Sequence, residues 1–191
     1  MKHYETELPQ GYKEAYAIDA ADKKIGLALN LVGGGLMAAL LVLFALIIRP
    51  RGFFENYTFS RNLIALGLLF AYLVLHELTH GAAYKLLTHQ KLTFGLTATV
   101  AYCGVPDIYV YRRASIIALL APFCVFNAVF GLAAILLPGA WDKMYAAALL
   151  AIHVGGCAGD LYDTWLYLTR FKRPDTLMRD TGPKQTFYTN S

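Results

Sequence analysis

The sequence predicts an all-α membrane protein: four transmembrane helices with a small β-hairpin between the second and third. Three observations predict it. The 191 residues are 57% hydrophobic and only 16% charged, whereas soluble domains carry about a quarter charged. The apolar residues gather in four runs, each long enough to cross a bilayer. The segment between the second and third runs is dense in Thr, Val and Tyr, residues that favour strands. The chain reads as one membrane-embedded domain covering 1–191.

The residues before Lys24 are polar and charged and contain no apolar stretch, so no cleavable signal peptide is expected. The first apolar run, about 26–48, "GLALNLVGGGLMAALLVLFALII", acts instead as a signal anchor. At about 1.5 Å per residue it covers a hydrocarbon core of about 30 Å. "RPRGFFENYTFSRN" stops it. The second span runs from about 63 to 87 and the third from about 114 to 137, where "PGAWD" breaks it. The fourth, about 143–169, contains "AIHVGGCAGDLYDTW", polar and glycine-rich for a span. Between spans two and three, Leu92–Tyr102 is expected to pair with Ile108–Tyr111 across the turn "CGVPD". The tail from about Phe171 is basic, carries Pro174 and Pro183, and is expected to be mobile.

Most of the 17 Lys and Arg residues fall in segments that share a side with the N-terminus. Arg49, Arg51, Arg61 and Lys143 fall in the other loops. The positive-inside rule then puts both termini of a multi-pass cell-membrane protein in the cytoplasm. Cys103, Cys124 and Cys157 are scattered and form no CxxC pair. They read as small buried thiols rather than a disulfide framework.

Ionisable groups are costly at membrane depth and mark function there. The second span carries "AYLVLHELTHGAAYKLL", in which His76-Glu77-Leu78-Thr79-His80 is an HExxH motif. On a helix, positions i and i+4 lie about 40° apart around the axis, so both imidazoles face one way. Two such nitrogens can hold one zinc ion, whose catalytic sites use His or carboxylate ligands and keep one position for water. Zinc lowers the pKa of that water to about 7. The adjacent carboxylate, Glu77, can take its proton as general base and pass it to a leaving amine. Gly81 follows directly and permits close approach of a neighbouring element.

A third ligand is required, and span four offers His153, Asp160 and Asp163. Spans two and four run in the same direction. By helical rise Asp160 lies at the depth of the histidine pair, and His153 lies about 10 Å further out. Asp160 fits best, with Asp163 and His153 as alternatives. Gly155, Gly156 and Gly159 either loosen the span ahead of Asp160 or pack tightly against another helix.

"HELTHG" in an apolar span, a β-hairpin, a proline-bearing third span and "GD" in a glycine-rich fourth resemble a family of small bacterial membrane proteins classed as zincin peptidases. "LPQGYKEAYAIDAADKKIGLALN" is similar to that family's N-terminal pattern, so the resemblance covers nearly the whole chain. The family is similar in turn to site-2-type intramembrane metalloproteases, which cut transmembrane or membrane-bound substrates near the cytosolic side. The resemblance implies zinc held by His76, His80 and Asp160, with Glu77 as catalytic base. Two features depart from the site-2 pattern. Asp160 is followed by Leu161 where those enzymes have glycine. "LAPFCVFNAVFG" has Ala121 before Pro122, and Asn127 five residues past it rather than three. By the same resemblance Asn127 is a candidate oxyanion donor, and Thr93–Tyr102 is a candidate edge that binds substrate by strand addition.

The expected function is zinc-dependent peptide-bond hydrolysis within the membrane near its cytoplasmic face. The partners are the lipid bilayer and a membrane protein or peptide substrate, with no nucleic acid. The alternatives are a non-catalytic metal-binding membrane adaptor and a metal or ion carrier. A single ligand cluster without repeated halves argues against a transporter.

Overall fold

The structure is a computed structural model of the chain, and it describes every residue except 1, 21, 53–55, 57, 97–100 and 191. Five helices are described: α1 (Lys23–Ile48), α2 (Phe59–Thr88), α3 (Arg112–Leu136), α4 (Ala140–Gly156) and α5 (Ala158–Thr169). The first three are long and apolar enough to cross a membrane. The pair α4 and α5, interrupted at Cys157, makes a fourth span if counted as one broken helix. Along α1, α2 and α3, large apolar side chains such as Leu31, Leu46, Phe70, Leu132 and Ile135 are exposed. Such a surface is unstable in water and at home in lipid.

The seven strands are β1 (Tyr4–Glu5), β2 (Tyr12–Asp19), β3 (Thr93–Leu96), β4 (Ala101–Gly104), β5 (Tyr109–Tyr111), β6 (Leu177–Asp180) and β7 (Lys184–Asn190). The chain divides into two compact units. The first holds Met1–Leu29, Glu77–Pro122 and Gly159–Ser191; the second holds Asn30–His76 and Phe123–Ala158.

The first unit contains all the described strands. Five form an antiparallel sheet in the order β1-β5-β6-β7-β2, and β3 and β4 pair separately. Ile18 of β2, Met178 of β6 and Phe187 of β7 bury one face of the sheet against Leu119 of α3 and Leu166 and Tyr167 of α5. A second cluster joins Val105, Ile108 and Val110 to Tyr84 of α2 and Ala114 and Ala118 of α3. Asp22 caps α1: its Oδ1 accepts the N–H groups of Lys24 at 2.9 Å and Ile25 at 3.1 Å, two donors a helix start leaves unmet.

Among the described residues, the second unit contains helices and no strand. In it α1 crosses α4 at Gly33 and Gly155. A methyl group on Gly155 would sit 2.6 Å from the Gly33 carbonyl oxygen, so the crossing requires the absence of a side chain. A cavity of about 620 Å³, walled mainly by apolar residues of α2, α3 and α4, opens beside Tyr72, Phe126 and Phe130.

Several expectations are refined or corrected. The fold is mostly helical, as expected, and carries a small antiparallel sheet besides the hairpin. The hairpin pairs Thr93–Leu96 with Ala101–Gly104, and residues 97–100 of the expected edge lie outside the described residues. The "CGVPD" segment leads out of that hairpin: β5, expected as its second strand, pairs with β1 and β6 instead. The tail expected to be mobile forms β6 and β7, with Leu177, Met178 and Phe187 fully buried. The turn between them, "TGP", uses Gly182 at φ +99°, a conformation that costs glycine nothing. Among the thiols, Cys103 and Cys157 are buried as expected, but Cys124 is exposed.

Candidate metal centre

The motif sits on α2, where every fourth residue from Tyr72 to Thr88 is buried: Tyr72, His76, His80, Tyr84 and Thr88. A four-residue step returns to nearly the same face of a helix. The five therefore form one polar stripe along an otherwise apolar span. Glu77, one residue from His76, is half-buried.

In the first unit, His80 is held at both nitrogens. Its Nδ1–H donates to the Ala118 carbonyl at 2.9 Å. In a regular helix that carbonyl would accept from the N–H of residue 122. Pro122, inside α3, has no N–H, so Ala118 is relieved of its helical partner and turns to the imidazole. The other nitrogen, Nε2, lies 3.4 Å from Oδ2 of Asp160. Asp160 stands in the first turn of α5, because the helix breaks at Cys157 and restarts at Ala158. A carboxylate there is favoured by the N–H groups of a helix start. Gly81 explains how β3 closes over this turn of α2: a methyl group at that position would meet the Phe94 ring at 2.7 Å and Leu92 at 3.2 Å.

In the second unit, His76 lies in an aromatic and sulfur-containing nest. The Tyr72 hydroxyl is 3.3 Å from Nδ1 of His76 and 3.0 Å from Nδ1 of His153. Cys157 Sγ lies 3.6 Å from the same His153 nitrogen. His76, His153 and Cys157 bring ligand atoms within 4.8 Å of one another. Phe126 stacks on His76, and Phe123, Phe126 and Phe130 surround His153. Asn127 donates through Nδ2 to the Phe123 carbonyl of its own helix at 2.7 Å.

The structure thus brings Asp160 to His80 and gathers His153 with Tyr72 and Cys157. Asp163 is buried on α5, and its Oδ1 has no hydrogen-bond partner among the described residues. Motif reading missed the Ala118 carbonyl beside His80 in the first unit, and Tyr72 and Cys157 beside His153 in the second. Their signal was spacing: Tyr72 is four residues before His76, Ala118 four before Pro122, and Cys157 four after His153.

The donor chemistry fits zinc. Two ligands each about 2.1 Å from a tetrahedral ion lie about 3.4 Å apart, the separation of His80 Nε2 and Asp160 Oδ2. Nδ1 of His80 is already bonded to a backbone carbonyl, the arrangement that presents Nε2 to a metal.

A family model described as "Putative zincin peptidase" matches residues 69–174. The chain belongs to that family. The match takes in the motif on α2, Pro122 on α3, and both His153 and Asp160. The family suggests a zinc-dependent peptidase, and its zincin designation carries zinc with it. None of the curated proteins and none of the solved structures compared matches the chain.

Proposed function

We propose that this zincin-family chain is a multi-pass membrane protein that hydrolyses a peptide bond at membrane depth, near the cytoplasmic face of the cell membrane. The observation that carries the reading is the pairing of His80 with Asp160 at 3.4 Å, with the outer nitrogen of His80 already bonded to Ala118. His76, one turn earlier on the same helix face, supplies the second imidazole. His76, His80 and Asp160 would hold zinc, which when bound supplies a Lewis acid and a water of lowered pKa.

Glu77 lies beside His76 and is half-buried. It takes a proton from the attacking water and delivers it to the leaving amine. Lost basicity at this one position removes both transfers. The polypeptide substrate must be extended to be cut. β3, whose sole partner among the described strands is β4, offers an edge for strand addition. Asn127 bonds the Phe123 carbonyl on its own helix through Nδ2, and the second N–H of that amide would be the oxyanion donor.

Glu77→Gln in the purified full chain tests the assignment. The proposal expects zinc at wild-type stoichiometry with cleavage of a membrane-embedded test peptide reduced by at least about a hundredfold, the lower end of general-base contributions. Undiminished cleavage would remove Glu77 from the mechanism. Wild-type protein that carries zinc but cleaves nothing would point to the adaptor reading.

A further inference from the structure

His76 and His80 meet their Nδ1 partners differently. His80 donates to a backbone carbonyl, while His76 faces the hydroxyl of Tyr72, and that hydroxyl also faces His153. His153 is fully buried and carries no role in the hydrolysis described above. A buried polar group of this kind is costly unless its bonds are made, so the question is what its bonds accomplish.

The bonding directions can be worked out from one end. An imidazole that holds a metal through Nε2 carries its proton on Nδ1. Nδ1–H of His76 then donates to the Tyr72 oxygen. Tyr72 has one proton, and it donates to Nδ1 of His153. His153 therefore carries its own proton on Nε2, which lies 3.4 Å from the Phe123 carbonyl. That carbonyl, inside α3, also accepts from Asn127 Nδ2 at 2.7 Å. Every step has a donor facing an acceptor. In the reverse direction Asn127 would donate to Nε2 of His153 across the 3.4 Å between them, His153 to Tyr72, and Tyr72 to His76. The lone pair of His76 would then lie on Nδ1, away from a metal held through Nε2.

We infer that Tyr72 and His153 are positioning residues for His76: a relay from His76 Nδ1–H through the Tyr72 hydroxyl to His153 fixes the ring and the tautomer that present Nε2 to the metal. This rests on the zinc reading and adds the device that orients its second imidazole. The relay lies among the rings of Phe123, Phe126 and Phe130.

The test is zinc affinity of the full chain in detergent, measured by chelator competition, with the visible spectrum of the cobalt-substituted protein as second readout. Outer partners of ligand histidines are worth about 10–100-fold in metal affinity. Tyr72→Phe keeps the ring and removes the hydroxyl, and is expected to weaken zinc by that factor and to shift the cobalt bands. His153→Leu is expected to do the same. His153→Asn, which places an acceptor oxygen near the position of Nδ1, is expected to recover most of the loss. The double variant Tyr72→Phe/His153→Leu should be no worse than either single change, since the two act in one chain. Unchanged affinity and spectrum in Tyr72→Phe would overturn the relay while leaving the zinc reading in place. A thiolate-to-cobalt charge-transfer band abolished by Cys157→Ser would overturn it too, because the ion would then be held by His76, His153 and Cys157. Wild-type protein without metal would overturn the zinc reading itself, and the relay with it.

Discussion

His80 and Pro122 are coupled through one atom, the carbonyl oxygen of Ala118. The proline removes the helical donor from that oxygen, and the imidazole takes its place at 2.9 Å. A residue that weakens α3 by about 3 kcal/mol relative to alanine thereby orients a side chain on α2.

Pro122→Ala separates the two effects. The restored N–H competes for the Ala118 carbonyl, and His80 loses its orienting partner. Zinc affinity is expected to fall about tenfold, at the lower end of outer-partner effects. The thermal midpoint of the metal-free protein is expected to hold or rise. A fall in both would mean that the proline serves packing alone.

Gly155→Ala tests the helix crossing in the second unit. Its methyl group would sit 2.6 Å from the Gly33 oxygen, and backbone on both sides must move. Overpacking of this kind costs about 1–3 kcal/mol. Gly34→Ala, one residue from the crossing but with nothing within 4 Å, is the control expected to be neutral. Denaturant titration of the two variants checks the contrast.

Asp180 gives the metal-free protein a pH dependence. Its Oδ2 accepts from Tyr84 at 2.8 Å and its Oδ1 from the Gly182 N–H at 2.9 Å. Burial outweighs these bonds and pushes the carboxyl up from 3.8 to about 6. The folded state therefore binds the proton more tightly than the unfolded state. The contribution of this group is fully present below about 3.8 and is lost as pH rises through about 6, a change of roughly 3 kcal/mol at 1.36 per unit. Unfolding free energy of the metal-free chain should show that fall between pH 4 and 7, and Asp180→Asn should flatten it. An equal slope in the variant would assign the dependence to another group.

The thiols should differ in reactivity. Burial pushes Cys103, on β4, up to about 12, and Cys157 is buried, whereas Cys124 is exposed on α3. A membrane-soluble maleimide is expected to label Cys124 alone in the folded chain, as Cys124→Ala would show by loss of all labelling.

Much of this was legible in the chain, and the reasons differ by element. The long apolar runs of α1, α2 and α3 declare themselves because each is long and apolar enough to cross a membrane. Asp160 was chosen by depth, which needs only the rise of a helix, and it stands 3.4 Å from His80. β2 stayed hidden because a bulge between Glu14 and Tyr16 interrupts the period of two that marks a strand. β6 stayed hidden because it has four residues, and Arg179 and Asp180 follow its apolar pair. Asp180 is buried only because Tyr84, far away in sequence, meets it. The role of His153 was out of reach for the same reason. Its distance from Asp160 along the helix ruled it poor as a third ligand, but its partner Tyr72 appears only when α2 and α4 pack.

The central claim is that His76, His80 and Asp160 hold one zinc ion. Its most direct measurement is the zinc content of purified wild type, His80→Ala and Asp160→Ala, each verified as folded. One zinc per wild-type chain, with loss in both variants, is the predicted result. Zinc retained at wild-type level in Asp160→Ala would contradict it.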